Sequence, residues 1–216
     1  MSGRQPTTGA APWVPAGASI QQLRAAVPDC RGCELYAEAE HAVMGEGPED
    51  ASVMLLGEQP GAKEDEAGRP FVGPAGRLLD DALEQAGFEP ASVYRTNAVK
   101  HFRFERRGSQ RLHKSPSRWH VAACEPWLLG ELEAVRPQLV VLLGATAGKA
   151  VFGPAFRVGA SRGARLEWPD RADGGFRPSA ALATTHPAAV LRSRDRTTAM
   201  AGLVADLEVA RRLVRP

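Results

Sequence analysis

The chain has 216 residues, 44% of them hydrophobic and 24% charged, which provides one well-filled core and excludes a disordered polymer, a fibrous repeat or two large domains. The net charge of +2 conceals a segregation: residues 40–90 hold twelve acidic and three basic side chains, a net of −9, whereas residues 95–118 hold eight basic and one acidic, a net of +7. The longest apolar stretch, Leu139 to Ala147, falls far short of the ~20 residues that cross a bilayer, and no secretory segment is evident, so no membrane association and a cytoplasmic setting are expected.

Residues 1–18, with Pro6, Pro12 and Pro15 and no apolar run, read as a flexible arm, and residues 19–216 as a single domain. Ser19-Ile20-Gln21-Gln22 has the form of a capping box and opens a short helix ending near Pro28. Cys30 and Cys33 follow as a Cys-x2-Cys pair. Three cysteines without an export signal argue against a disulfide framework and for metal or redox chemistry. Cys124 can supply a third ligand, and a fourth must come from another residue type, with His101 and His120 as the candidates.

Ser52 to Leu56 is an apolar run too short for a helix and reads as a buried strand, followed at once by Gly57-Glu58-Gln59-Pro60-Gly61. Pro74 can begin a helix whose Leu78, Leu79, Ala82, Leu83 and Ala86 recur at helical spacing, with Gly87 as its stop. Val93 to Val99 is the second strand. The basic stretch then reads as a loop able to neutralise phosphates, or simply as a solvated surface. Ser117 can cap a helix through Cys124 to Val135, kinked or interrupted at Pro126. Leu139 to Leu143 is the third strand, Gly144 to Ala147 the turn into another helix, and Ala181 to Thr185 the fourth strand, ending in His186-Pro187. An amphipathic helix from Thr197 to Leu213 closes the chain.

Strands alternating with helices imply right-handed crossovers and a mainly parallel sheet of four strands, an α/β chain in three α/β/α layers. Ligands of such sheets bind beyond the carboxyl ends of the strands. Those ends carry Glu58 and Gln59, Asn97, Gly144 and His186, so one rim gathers polar groups able to handle a small planar ligand. No nucleotide-phosphate loop competes for it: Gly144 to Lys149 is one residue short of that pattern and lacks its trailing Ser or Thr.

The run Gly57-Glu58-Gln59-Pro60-Gly61, continued through Gly68-Arg69-Pro70-Phe71-Val72-Gly73-Pro74-Ala75-Gly76, resembles the first motif of the iron-sulfur uracil-DNA glycosylases of family 4. Thr96-Asn97-Ala98-Val99-Lys100-His101 and Thr185-His186-Pro187 resemble the second and third motifs, so the likeness runs from Cys30 to the final helix. Two features resemble the UdgX group, whose members become covalently attached to uracil-containing DNA. His101 stands where other family 4 proteins have cysteine, and Arg111-Leu112-His113-Lys114 is similar to that group's Arg-Ile-His-Lys run. Ala62, Ser109 and Gln110 depart from the group's usual residues.

The resemblance implies the uracil-DNA glycosylase fold and a 4Fe-4S cluster on Cys30, Cys33, His101 and Cys124. It implies a partner in uracil-containing DNA, single- or double-stranded, with free uracil as product, and a monomeric protein. The base must leave the stack to be reached. Asn97 would pair with its polar edge, Phe71 stack on its face, and the backbone of Gln59 to Gly61 offer donors to a carbonyl. Cleavage leaves negative charge on uracil, for which His186 is the oxyanion donor, and positive character on the sugar carbon, for which Glu58 is the carboxylate. His113 would attack that carbon as a neutral imidazole, and the resulting bond has no evident route to hydrolysis. Arg111, Lys114 and Arg192 would contact DNA, Arg192 filling the gap left by the rotated base. The competing expectations are a conventional glycosylase that turns over, and a metal-stabilised nucleic-acid-binding module without chemistry.

Overall fold

A computed structural model of the chain describes residues 9–170 and 175–214. Its strands are β1 (Val53–Gly57), β2 (Tyr94–Asn97), β3 (Phe104–Arg107), β4 (Gln110–His113), β5 (Leu139–Leu143), β6 (Arg165–Leu166) and β7 (Ala180–Thr184). Its helices are α1 (Ile20–Ala26), α2 (Ala62–Ala67), α3 (Pro74–Gln85), α4 (Arg118–Val135), α5 (Gly144–Phe152), α6 (Val158–Ser161), α7 (Pro187–Leu191) and α8 (Arg196–Leu213).

The main sheet has the order β2-β1-β5-β7-β6. The first four strands are parallel, as the alternating pattern requires, and the two-residue β6 adds a fifth, antiparallel strand at the edge beside β7. Four strands were expected, and β6 is too short to carry a periodic signal of its own. Every residue of β1, β5 and β7 is buried, because successive side chains enter opposite layers. Met54, Leu56, Val140 and Leu142 pack toward α1 and α4, whereas Val53, Leu55, Val141 and Leu143 pack toward α3, α7 and α8. Two cores on a shared sheet make the three layers.

Local chemistry sets the helix ends. Ser19 accepts from Gln22 N while Gln22 Oε1 accepts from Ser19 N, completing the expected capping box on α1. Ser117 caps α4, and His120 returns the favour to the Ser117 N–H. α4 runs through Pro126 without a break.

The basic stretch is not a loop. β3 and β4 form a two-stranded hairpin in which Arg107 pairs with Gln110 across Gly108-Ser109, and Phe104 pairs with His113. Gly108, at φ +60°, supplies the left-handed residue that such a tight turn needs. Residues 1–8 of the expected arm lie outside the described residues, and residues 11–18 are mostly exposed, but Ala10 is buried and its N–H donates to Ala123 O at 2.7 Å. No helix among the described residues is long and apolar enough to cross a membrane.

Candidate active site

Glu58 leaves β1, Asn97 ends β2, Gly144 follows β5 and His186 follows β7, all at the carboxyl edge of the parallel strands. There a cavity of about 510 Å³ is lined by Glu58, Gln59, His113, Thr146, His186 and Arg192. The expected catalytic trio of Glu58, His113 and His186 therefore meets in one space, with Arg192 at its wall.

Gln59 fastens the hairpin over that space. Its Oε1 accepts from Arg103 N at 3.1 Å, and its Nε2 donates to Arg103 O and Lys114 O, each at 3.1 Å. These bonds fix which end of the amide is nitrogen. The same Nε2 lies 3.0 Å from His113 Nε2, but its two hydrogens already serve the two carbonyls, so this contact places the ring without setting its tautomer. Glu58 Oε1 stands 3.5 Å from His113 Nε2. The other Glu58 oxygen accepts from the Thr146 hydroxyl, which fixes the carboxylate from the first turn of α5. Thr146 is a site residue that the sequence reading missed.

His186 is fixed from its far side. Its Nδ1 accepts from Ala188 N at 3.1 Å, capping α7, so the neutral ring carries its proton on Nε2. Burial pushes this imidazole down to about 4, against the pull of Glu58 and helped by Arg192 and His113. At neutral pH it is an uncharged N–H donor. Gly144 lets it approach: a Cβ there would lie 2.9 Å from His186 Cβ.

Asn97 and Phe71 converge above Gly57. A methyl group built on Gly57 would stand 2.3 Å from Asn97 Oδ1 and 2.9 Å from Phe71 Cζ. Both side chains are buried. Phe71 holds φ +57°, an unfavourable conformation for an aromatic residue, with the first turn of α3 against it: a Cβ on Gly76 would fall 1.7 Å from Phe71 O.

Other expected residues stand elsewhere or are already engaged. The Gly61 N–H, expected to face the base, donates to Glu64 Oε2 at 3.1 Å, and Gly73 N donates to Glu64 Oε1 at 2.7 Å, so one carboxylate folds the long first loop around itself. Arg111, expected on DNA, is not among the residues lining the cavity. Its guanidinium lies 2.6 Å from Asp65 Oδ2, 2.9 Å from Glu40 Oε1 and 3.2 Å from Glu66 Oε1, leaving the side chain only 13% exposed. Lys114 is exposed and pairs with Glu105 at 2.6 Å.

Cys30, Cys33 and Cys124 are free and buried. Each sulfur receives an N–H donor: the Trp127 indole for Cys30 at 3.2 Å, the Leu35 backbone for Cys33, and the Lys100 backbone for Cys124 at 3.3 Å. Burial pushes the Cys33 thiol up to about 11 and that of Cys124 up to about 12. His120 is taken on both nitrogens, by Ser117 and by Glu34 at 2.8 Å. His101 is buried, and burial pushes its ring down to about 4, leaving it neutral. Among the described residues no three His, Cys, Asp or Glu side chains are close enough to share a single metal ion.

A family model described as the uracil DNA glycosylase superfamily matches residues 44–208. A Type-4 uracil-DNA glycosylase of Thermotoga maritima is 35% identical over 169 residues, 78% of this chain and 81% of its own length. Proteins of the same name from Pyrobaculum aerophilum and Archaeoglobus fulgidus are 39% and 34% identical over 61% and 62% of this chain. In each of those two the match spans 64% of the relative's length.

Proposed function

Since the chain belongs to the uracil-DNA glycosylase superfamily, we propose that it excises uracil from DNA and then keeps the sugar, through a bond from His113 to C1′ of the deoxyribose. The observation that carries this reading is the position of His113 Nε2, 3.0 Å from Gln59 Nε2 and inside the cavity that Glu58 and His186 also line. An ordinary glycosylase needs a water molecule beside its carboxylate. Here an imidazole nitrogen stands 3.5 Å from Glu58.

The extruded base pairs its polar edge with Asn97 and lays its face on Phe71, two side chains that meet at Gly57, next to Glu58, and do not themselves line the cavity. The C1′–N1 bond breaks with its electron pair leaving on uracil, and His186 Nε2–H donates to the charged oxygen. Glu58 stabilises the positive sugar carbon. His113, reacting as the neutral ring protonated on Nδ1, moves off Gln59 and forms the new bond to C1′ through Nε2, Nδ1 then loses its proton to solvent, and uracil takes one up. The alkylated ring is neutral and would leave the sugar only if protonated again, so the protein stays attached.

The cysteine pocket suits a 4Fe-4S cluster on Cys30, Cys33, Cys124 and His101. The N–H groups aimed at the sulfurs act against the burial that keeps Cys33 and Cys124 as thiols and would stabilise thiolates once iron is bound, His101 has its ring uncommitted to any hydrogen bond among the described residues, and four irons need ligands set farther apart than one ion does. When bound, such a cluster supplies a rigid cross-link among the loops that carry Asn97 and the hairpin. Iron analysis of the purified protein checks this assignment.

Turnover with water as nucleophile is the second reading, favoured by the names of the relatives, each a Type-4 uracil-DNA glycosylase. Mass spectrometry of the protein mixed with a uracil-bearing single strand separates the two. Capture gives a stable adduct lacking uracil, and turnover gives free base in excess of protein. His113→Ser is expected to abolish the adduct and to release uracil repeatedly. An adduct that persists in this variant would remove His113 from the reaction.

A further inference from the structure

Beneath the rim lies a fully buried ion pair that the chemistry above does not use. Lys100 Nζ is 2.6 Å from Glu131 Oε2, and neither side chain is exposed. Lys100 Nζ also donates to Thr96 Oγ1 at 2.7 Å and to the Asn97 carbonyl at 2.8 Å. Glu131 Oε1 accepts from Gly45 N, Tyr94 Oη and Thr96 Oγ1, at 2.9, 3.0 and 2.9 Å. The network therefore grips β2 at Tyr94 and Thr96 on the strand and at Asn97, where the strand ends. The Lys100 main chain faces the other way, donating to Cys124 Sγ.

A buried ion pair is a poor device for stability alone, because desolvating two charges offsets most of their attraction and apolar residues of the same volume do as well or better. What the ammonium can do here that a methyl group cannot is hold the Asn97 carbonyl at a fixed point. Asn97 carries its amide only a few bonds from that carbonyl, against Phe71 and Gly57. We propose that Lys100 and Glu131 are positioning residues for base recognition, setting the Asn97 amide through its main chain and linking the base pocket to the cysteine pocket through one residue. The inference rests on the uracil-binding reading given above.

The test compares the parent protein with Lys100→Met/Glu131→Gln, which removes both charges together and leaves neither buried alone. The variant is expected to unfold cooperatively as the parent does and to keep its iron absorbance. Its affinity for free uracil, by calorimetry, should fall about tenfold, the equivalent of ~1.4 kcal/mol, with binding to a strand lacking uracil unchanged. In an Asn97→Ala background the same two substitutions should change uracil affinity by less than about twofold, because residues acting through one another are not additive. Lys100→Arg, which keeps the charge but not the point contact, is the second variant and should shift uracil affinity in the same direction. Uracil binding at the parental level in both variants, or a loss that adds in full to that of Asn97→Ala, would overturn the inference. A parent protein indifferent to uracil would instead overturn the reading of function beneath it.

Discussion

A methyl group at position 57 would collide with the Asn97 amide at 2.3 Å, and neither backbone can retreat, since the two residues are paired across β1 and β2. Gly57→Ala is therefore expected to turn the amide out of its base-reading orientation. Calorimetry should record a loss of uracil affinity of about tenfold or more, the effect of one well-placed hydrogen bond, with far-ultraviolet circular dichroism unchanged. The half-buried His186 gives a different signature. Its folded pKa, about 4, lies below the ~6.5 of an unfolded histidine, so the unfolded chain takes up the proton first. Its share of stability is complete above ~6.5 and is lost as pH falls toward about 4. Denaturant unfolding from pH 7 to 4 should show a shallower decline in His186→Asn than in the parent.

The hairpin of β3 and β4 is positioned by tethers at opposite points. Gln59 holds Arg103 and Lys114 at its base, and Arg111 fastens its flank to Asp65, Glu40 and Glu66. Arg111→Met should loosen the flank, raising hydrogen–deuterium exchange across residues 104–113 and slowing adduct formation more than uracil release. Equal slowing of both would mean that Arg111 supports the whole cavity. These tethers explain why the hairpin was hidden in the sequence. β1, β5 and β7 are legible because both faces are buried and leave unbroken apolar runs. The hairpin strands are largely exposed and show no alternation, although Gly108-Ser109 between two four-residue runs is a turn signal that could have revealed them. The rim residues Glu58, Asn97 and His186 were legible from their places at strand ends. Thr146, Arg111 with its carboxylates, and Lys100 with Glu131 were not, because their partners lie tens of residues away and leave no local pattern. Glu64, three residues after Gly61, was within reach as a helix-capping spacing.

At the scale of the whole molecule, the acidic and basic stretches largely answer each other. Of the eight cations in residues 95–118, Arg95, Lys100, Arg111 and Lys114 are paired with carboxylates. Arg103, Arg106, Arg107 and Arg118 have no acidic partner among the described residues and remain for phosphate. With a slope of about −0.7 per phosphate for single strands, binding should weaken with salt at a log–log slope near ~−3 from this segment, about half what the formal charge suggests. Fluorescence anisotropy from low to moderate salt checks it, and a slope near ~−6 would mean that DNA breaks those pairs. The cysteine pocket likewise draws on distant parts of the chain. Ala10 bonds to Ala123 beside Cys124, and a Cβ on Gly32 would meet Ala10 at 2.7 Å, so the N-terminal stretch lies across the turn between Cys30 and Cys33. During synthesis the first two thiols leave the ribosome about ninety residues ahead of the third. The proposed cluster therefore cannot gather all its ligands until the polypeptide is more than half made, and until then an iron donor would meet only half a socket.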